Sequence, residues 1–229
     1  MTDDRRLDAV TVGSETTTVT DQRTHWERTL SANPEMFGTE PSEPGRYAIN
    51  RFASDGAVDV LELGAGQGRD TMALLGAGFN VHALDFAADA VADIVAAVPS
   101  QMVDHLTTSV HDVRDPLPFP DGSFDACYSH MLFTMALSSR ELEALVGEIH
   151  RVLRPSGLCI YTVRHVGDAH FGTGRALGDN LFEHNGFVVH FFDRHLVEDL
   201  ARGFSIEEVV AFEEGDLPRR LWRVIQSKS

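Results

Sequence analysis

A glycine-rich run constrains the fold of this chain more than any other feature. It reads Glu-Leu-Gly-Ala-Gly-Gln-Gly over residues 62–68, continues the apolar run Val58–Leu63 and leads into a helical pattern. Glycines at a strand-to-helix turn let the backbone come close to a bound ligand. The run therefore predicts a ligand-binding loop at the carboxyl end of a buried strand.

Apolar runs and helical patterns alternate along the chain. Strands are predicted over Val58–Leu63, Val81–Leu84, Leu106–Val110, Phe124–Ser129, Leu158–Val163, Ile206–Phe212 and Leu221–Gln226, and a further apolar run spans Val188–Phe192. Helices are predicted over Thr24–Leu30, Tyr47–Phe52, Asp70–Gly76, Ala87–Val98, Ser138–Leu153 and Arg194–Ala201. Strands that alternate with helices are typical of a doubly wound parallel sheet, so the pattern predicts an α/β protein with helices on both faces of the sheet.

Three segments lie outside this alternation of strands and helices. They are predicted to be an N-terminal tail, an N-terminal cover and a lid. Residues 1–23 lack periodicity and are predicted to be a flexible N-terminal tail, with one domain over residues 24–229. Residues 24–56 are predicted to be an N-terminal helical cover of that domain. Residues 164–187 are rich in glycine and histidine and too irregular for a simple connector, which favours a lid or substrate loop.

The acidic composition limits the class of partner. The chain has 35 acidic and 19 basic side chains, a formal charge of −16. Such a field repels the phosphate backbone, so no nucleic-acid partner is expected. Only Cys127 and Cys159 are present, each in an apolar run, which favours reduced buried thiols over a disulfide framework or a cysteine zinc site. We find no pattern of a signal peptide or a membrane-spanning run, and we predict a cytoplasmic protein without a membrane partner.

Two acidic residues flank the glycine loop. Glu62 precedes the glycines, and Asp85 ends the next predicted strand, where its carboxylate can accept hydrogen bonds from a ribose diol. The spacing is GxGxG rather than the GxGxxG of dinucleotide-binding enzymes. This favours an adenosyl ligand without a pyrophosphate, and a nicotinamide oxidoreductase is the alternative.

The glycine loop and the two acids belong to a longer set of motifs. Through these motifs the chain resembles class I S-adenosylmethionine-dependent methyltransferases over roughly residues 24–226. The motifs that carry the resemblance are Val60–Asp70, Ala83–Asp85, His111–Val113, Leu117–Asp125 and Ile149–Gly157. One departure is Ser156, where the family usually has a second glycine. The resemblance implies S-adenosyl-L-methionine as cofactor and a Rossmann-like, seven-stranded, mostly parallel sheet whose last strand is antiparallel.

The resemblance also implies a set of cofactor-binding residues. The set comprises Glu62, Gly64, Ala65, Gly66, Gly68, Asp85, Phe86, Asp112, Val113 and Ser129. Within it, Asp85 is expected to bind the ribose hydroxyls and Asp112 the adenine amino group. Phe86 and Val113 are expected to lie on either side of the adenine.

The acceptor end of the site is predicted from three parts of the chain. The proline- and glycine-rich segment before Arg46 resembles the N-terminal cover of the small-molecule branch that includes thiopurine and tellurite-resistance methyltransferases. Arg46 then binds a carboxylate or, equally, braces the following helix. His130 follows the fourth strand, where open α/β sheets place their ligands, and is the candidate catalytic residue. Phe133, His165 and His170 complete the predicted substrate-binding set.

These features predict a methyltransferase that acts on a small molecule, with a thiol or another soft or amine nucleophile favoured. The histidines of residues 164–195 match no metal-ligand spacing, so no metal is predicted. An RNA or protein methyltransferase and a non-catalytic S-adenosylmethionine-binding protein are the alternatives. The chain is expected to act as a monomer or a homodimer.

Overall fold

The alternating strands and helices build one large sheet with helices on both sides. The computed structural model describes residues 15–33, 36–215 and 219–229, with side chains from residue 22 onward. The strands are β1 Asp59–Leu63, β2 Asn80–Asp85, β3 Leu106–Val110, β4 Phe124–Ser129, β5 Leu153–Arg164, β6 Arg175–Gly178, β7 Leu181–His184, β8 Phe187–His190, β9 Phe204–Glu214 and β10 Arg219–Lys228. The α-helices are α1 Glu15–Ala32, α2 Glu43–Ser54, α3 Arg69–Gly76, α4 Ala88–Ala97, α5 Ser139–Val152 and α6 Arg194–Leu200.

The order of the strands in the large sheet fixes where a ligand can bind. The order is β3-β2-β1-β4-β5-β10-β9. The first five strands are parallel, and β10 is antiparallel to both of its neighbours. The Rossmann-like fold with an antiparallel last strand is thereby confirmed. The direction of the strand order reverses between β1 and β4, so a crevice opens outside the carboxyl ends of these two strands.

The two faces of the sheet bury separate cores. Along β4, Cys127 packs with helices α5 and α6, and Tyr128 packs on the opposite face with α2, α3 and α4. Cys159 and Ile160 repeat this alternation in β5. Strands buried on both faces need apolar side chains at successive positions, which explains the continuous apolar runs of the sequence.

The N-terminal helix begins earlier than the sequence pattern indicated. Residues 15–23, predicted to belong to a flexible tail, lie in α1, and residues 1–14 fall outside the described part of the chain. The side chain of Gln22 donates to the carbonyl of Gly186 at 2.6 Å and accepts from the backbone N–H of Val188 at 3.0 Å. The helix is therefore held by polar tertiary contacts, which apolar periodicity does not reveal.

The predicted irregular segment 164–187 contains an ordered antiparallel sheet, in the order β6-β7-β8. Asp179 and Asn180 have φ of +53° and +55° in the first turn, and Asn185 and Gly186 have +52° and +87° in the second. Two successive positive φ values are typical of the tight turns that join hairpin strands. The Asn-Gly pair was the sequence signal for this sheet. The apolar run Val188–Phe192 contributes to β8 and not to the large sheet.

A buried carboxylate joins the N-terminal cover to the large sheet. Asp70, in the first turn of α3, accepts from the backbone N–H and the hydroxyl of Ser42, both at 2.7 Å, and from the hydroxyl of Tyr128 at 2.8 Å. Ser42 in turn caps α2 by accepting from the N–H of Gly45 at 2.8 Å. A Cβ at Gly45 would lie 2.6 Å from the Asp70 carboxylate. Only glycine therefore allows the cover to approach this closely.

Tyr128→Phe is expected to lower the free energy of unfolding by about 1–3 kcal/mol, because it removes a buried donor to a charged carboxylate. Urea denaturation would measure the change. Tyr161→Phe is the matched control, since the Tyr161 hydroxyl is buried without a hydrogen-bond partner among the described residues. This control should be neutral or slightly stabilising, and equal losses in both variants would contradict the role of the Asp70 network.

Candidate functional site

The glycine loop adopts a backbone that only its sequence permits. Gly64, Gly66 and Gly68 have φ of +73°, +53° and +81°. A Cβ at Gly68 would lie 2.6 Å from Ile94, so this glycine is required where the loop packs on α4. Because Gly68 precedes the first residue of α3, the loop turns directly from β1 into that helix.

Asp85 holds the loop in place. Its carboxylate accepts from the backbone N–H of Gly66 at 2.8 Å and from that of Ala87 at 2.9 Å. Burial raises the pKa of Asp85, while these hydrogen bonds act in the opposite direction. The carboxylate predicted to bind a ligand thus also fixes the shape of the loop.

Glu62 is an acid in an environment that disfavours its charge. It is 3% exposed, and the Thr71 hydroxyl donates to it at 2.5 Å. Burial, reinforced by the negative charge of Asp70, raises the pKa of Glu62 to about 8. A cation brought next to this pair of acids would favour loss of the proton from Glu62.

A small recess lies beside the ends of β2 and β3. Phe86, Asp112 and Val113 line it together with Arg23 of α1. Burial alone would raise the pKa of Asp112, but the paired hydrogen bonds from Arg114 outweigh it and lower the pKa. Arg23 lies 3.6 Å from the Asp112 carboxylate and 5.5 Å from the centre of the Phe86 ring. The recess thus offers an aromatic face and a polar rim.

A cavity of about 630 Å³ connects the glycine loop to the elements that follow β4, β5 and β9. On the loop side it is lined by Glu62, Gly64, Ala65, Gly66, Asp70, Asp85 and Phe86. On the far side it is lined by His130, Met131, Arg164, His170, Phe182, Phe191 and Glu214. Strands β7 and β8 and helix α1 close its remaining walls.

His130 lies between two polar partners on the far wall. Its Nδ1 is 2.8 Å from the Thr162 hydroxyl, and its Nε2 is 3.2 Å from the Glu214 carboxylate. Met131, the next residue, has a φ of +68°, and its N–H donates to the Thr162 hydroxyl at 3.0 Å. Such a backbone is uncommon outside glycine and is held here by its surroundings.

Arg164 and His170 form a second polar group on the same wall. Asp168 accepts from the Nε of Arg164 at 3.1 Å and from its Nη2 at 2.5 Å, so the buried guanidinium is paired. The same Nη2 lies 2.9 Å from Nδ1 of His170. Since an arginine can only donate, this Nδ1 accepts, and the ring proton of His170 is on Nε2.

Comparison with known proteins relates part of this chain to methyltransferases. Residues 60–157 match the family model described as a methyltransferase domain. Phosphoethanolamine N-methyltransferase 1 of Triticum aestivum is 34% identical over 125 residues, which are 54% of this chain but only 22% of that protein. The chain therefore spans about a fifth of the length of this curated relative.

Two solved structures share the fold. The 1,6-didemethyltoxoflavin-N1-methyltransferase of Burkholderia thailandensis, with its substrate and S-adenosylhomocysteine bound, has a TM-score of 0.76 and 18% identity over 97% of this chain and 93% of its own. The N-methyltransferase NodS of Bradyrhizobium japonicum, with S-adenosylhomocysteine bound, has a TM-score of 0.66 and 14% identity over 91% of this chain and 98% of its own. The resemblance to class I S-adenosylmethionine-dependent methyltransferases is thereby confirmed.

Most of the predicted cofactor residues meet at the cavity of the methyltransferase domain or at its adjoining recess. Glu62, Gly64, Ala65, Gly66, Asp85 and Phe86 line the cavity, and Asp112 and Val113 line the recess. Ser129 does not, because it is fully buried and its hydroxyl donates to the carbonyl of Leu63. Gly68 packs on α4 instead. These two residues shape the strand and helix ends rather than the cavity wall.

The predicted acceptor residues divide in the same way. His130 and His170 line the cavity. Arg46 is exposed, and its guanidinium donates to the carbonyl of Pro41, which agrees with the alternative of a bracing residue. Phe133 is fully buried and stacks on Tyr161, and His165 stacks on Trp222 away from the cavity. The structure therefore does not bring Arg46, Phe133 and His165 to the cavity wall.

Sequence reasoning missed five charged residues of the cavity wall, namely Arg69, Asp70, Arg164, Glu214 and Arg219. Asp70 carried a signal, because it follows the glycine loop within the first turn of a helix. Arg164 and Glu214 end strands at the carboxyl edge of the sheet, but nothing in their neighbourhood distinguishes them from surface charges. Within the described ranges, no cluster of metal-ligating side chains and no helix long and apolar enough to cross a membrane is present.

Glu62→Gln is expected to change how stability depends on pH. Because folding raises the pKa of Glu62 from 4.5 to about 8, the free energy of unfolding falls as pH rises through that window. Glutamine keeps an acceptor for Thr71 and cannot ionise. Urea denaturation should show the variant more stable than the wild type by about 1.4 kcal/mol or more at pH 9.

This advantage should disappear near pH 5, where Glu62 is protonated in the folded protein. Glu143→Gln is the control, because Glu143 is exposed on α5 and should show no such change with pH. A difference between variant and wild type that is the same at both pH values would contradict the shifted pKa of Glu62.

Proposed function

We propose that this chain transfers a methyl group from S-adenosyl-L-methionine to a nucleophilic atom of a small molecule. The observation that carries the proposal is the single cavity that joins the glycine loop to the polar and aromatic far wall. An enzyme that brings two reactants together needs such a continuous, partly closed space. The methyltransferase domain match supports the same class of reaction.

The residues of the loop side fit the parts of the cofactor. The buried acids Glu62 and Asp70 suit a group that carries positive charge, and Asp85 suits the ribose hydroxyls. Phe86 and Val113 suit the faces of the adenine, and Asp112 its amino group. When bound, the cofactor supplies an activated methyl on a sulfonium. The protein's part is to align this group with the acceptor and to exclude water.

The far wall suits a flat, small acceptor. Phe182 and Phe191 line this wall, with ring centres 6.0 Å apart and ring planes at 69° to each other. Arg164 lies over the Phe191 ring at 5.1 Å, and His170 carries a proton on Nε2 that it can donate. Aromatic walls with a few polar groups bind planar molecules that have hydrogen-bond acceptors. Segment 164–187, with its small sheet, is proposed as the lid over this acceptor.

Nitrogen is the favoured acceptor atom, with sulfur as the second choice. The relatives described above are N-methyltransferases by name, and one holds 1,6-didemethyltoxoflavin. Neutral nitrogen and thiolate are both nucleophilic near neutral pH, so neither requires a strong base. The acidic surface supports an acceptor other than a nucleic acid. The free, buried thiols Cys127 and Cys159 support a cytoplasmic protein, and we expect a monomer or a homodimer.

Asp85→Ala is expected to weaken binding of S-adenosylhomocysteine by about 1.5–3 kcal/mol, through loss of charge-assisted hydrogen bonds to the ribose and a looser loop. Isothermal titration calorimetry would measure the affinity, and release of S-adenosylhomocysteine from a panel of heteroaromatic amines and thiols would measure turnover. Asp93→Ala, an exposed position on α4, is the matched control and should bind like the wild type.

Each result bears on a different part of the proposal. Equal affinities in Asp85→Ala and wild type would remove Asp85 from the cofactor site. Binding without turnover of any acceptor would indicate a non-catalytic S-adenosylmethionine-binding protein. No binding by the wild type would overturn the proposed function.

A further inference from the structure

Glu214 occupies a position on the cavity wall that sequence reasoning did not single out. It is the last residue of β9, and its side chain is 24% exposed beside the cavity. Its carboxylate lies 3.2 Å from Nε2 of His130, on the loop that follows β4. The positive charge of Arg69, the first residue of α3, also acts on it. Glu214 therefore lies between Arg69, beside the glycine loop, and His130, on the far wall of the cavity.

The hydrogen bonds of His130 decide which group can receive a proton. A carboxylate can only accept, so the Nε2 that faces Glu214 carries a proton. The Thr162 hydroxyl accepts from the N–H of Met131 and retains its own proton for Nδ1 of His130. Both ring nitrogens are thus engaged in the neutral ring. His130 as the direct base, the role predicted from its position after β4, requires one of these bonds to break first.

Glu214 is charged, so its side chain can accept a proton. Burial alone would raise its pKa, but the hydrogen bond from His130 and the positive charges of Arg219 and Arg69 lower it. The side chain is therefore a carboxylate at neutral pH. Its Oε1 lies toward His130. A carboxylate has two oxygens and several lone pairs, so it can accept a second proton donor from the cavity.

We infer that Glu214 is the catalytic residue that accepts the acceptor's N–H proton during methyl transfer, and that His130 is a positioning residue. This rests on the proposed function. The nitrogen lone pair forms the new bond to the methyl carbon, and the carbon–sulfur bond breaks with its electron pair left on sulfur. As the nitrogen becomes cationic, its N–H becomes acidic, and the proton passes to Glu214 and then to water. A weak carboxylate base is sufficient for a proton that acidic.

Glu214→Gln tests this inference, because glutamine can still accept from His130 and cannot accept a proton from the substrate. The probes are 1,6-didemethyltoxoflavin and a panel of heteroaromatic N–H compounds and thiols, at saturating S-adenosylmethionine. We expect kcat for the best N–H acceptor to fall about 100-fold or more, with little change in KM. Affinity for S-adenosylhomocysteine should stay within twofold of the wild type, which also shows that the variant is folded.

Two further variants distinguish the loss of a proton acceptor from a structural effect of the substitution. Glu213→Gln is the matched control, because Glu213 is the neighbouring residue of β9 and pairs with Arg220 at the surface. It should retain wild-type kcat. His130→Asn should lose less activity than Glu214→Gln, since it removes a partner of the carboxylate and leaves the carboxylate itself.

Three outcomes would overturn the inference. The first is a Glu214→Gln variant with wild-type kcat on an N–H acceptor, which would leave the proposed methyltransferase function intact. The second is a wild type that methylates thiols and no N–H compound. The third is a nitrogen-15 NMR spectrum of histidine-labelled enzyme in which Nε2 of His130 is unprotonated at neutral pH. A wild type that neither binds S-adenosylhomocysteine nor turns over any acceptor would instead overturn the proposed function on which the inference rests.

Discussion

The buried carboxylate of Asp70 is the interaction on which the site depends. It accepts hydrogen bonds from the N-terminal cover through Ser42 and from the central strand β4 through Tyr128. It also lies in the first turn of α3, where the helix dipole stabilises negative charge. A charge buried this deeply is stable only with such partners. The cover, the sheet and the helix after the glycine loop are therefore held in one arrangement by one side chain.

The negative charge of Asp70 affects the neighbouring acid, Glu62. Burial, reinforced by the charge of Asp70, raises the pKa of Glu62, and the one hydrogen bond that Glu62 accepts, from the Thr71 hydroxyl, does not offset this rise. The cavity thus contains a fixed negative charge next to a neutral acid that can become charged. A cationic ligand gains attraction from both, whereas an anionic ligand meets only repulsion at this end. The electrostatics of the loop side are consistent with a sulfonium or an ammonium group.

The sequence predicted the fold and most of the residues that line the loop side of the cavity, because both are encoded locally. Periodicity identified the seven strands of the large sheet, and the glycine loop and the acids after β1 and β2 are neighbours in sequence as well as in space. Side-chain direction at strand ends is not local in this way. Ser129 and His130 are adjacent, yet one is buried between strands and the other lines the cavity. The same reason explains why Phe133 and His165, which were predicted to bind the substrate, do not line the cavity.

The far wall is assembled from parts of the chain that are distant in sequence. Helix α1, the loop after β4, the β6-β7-β8 sheet and the end of β9 each contribute only a few residues, and Gln22 ties the first of these to the third. Their short strands and polar contacts are weakly patterned, so periodicity detects them poorly. The loop side is built into the strand-to-helix turns of the sheet, while the far wall is an added cover. The choice of acceptor therefore depends on residues whose identity the core of the fold does not constrain.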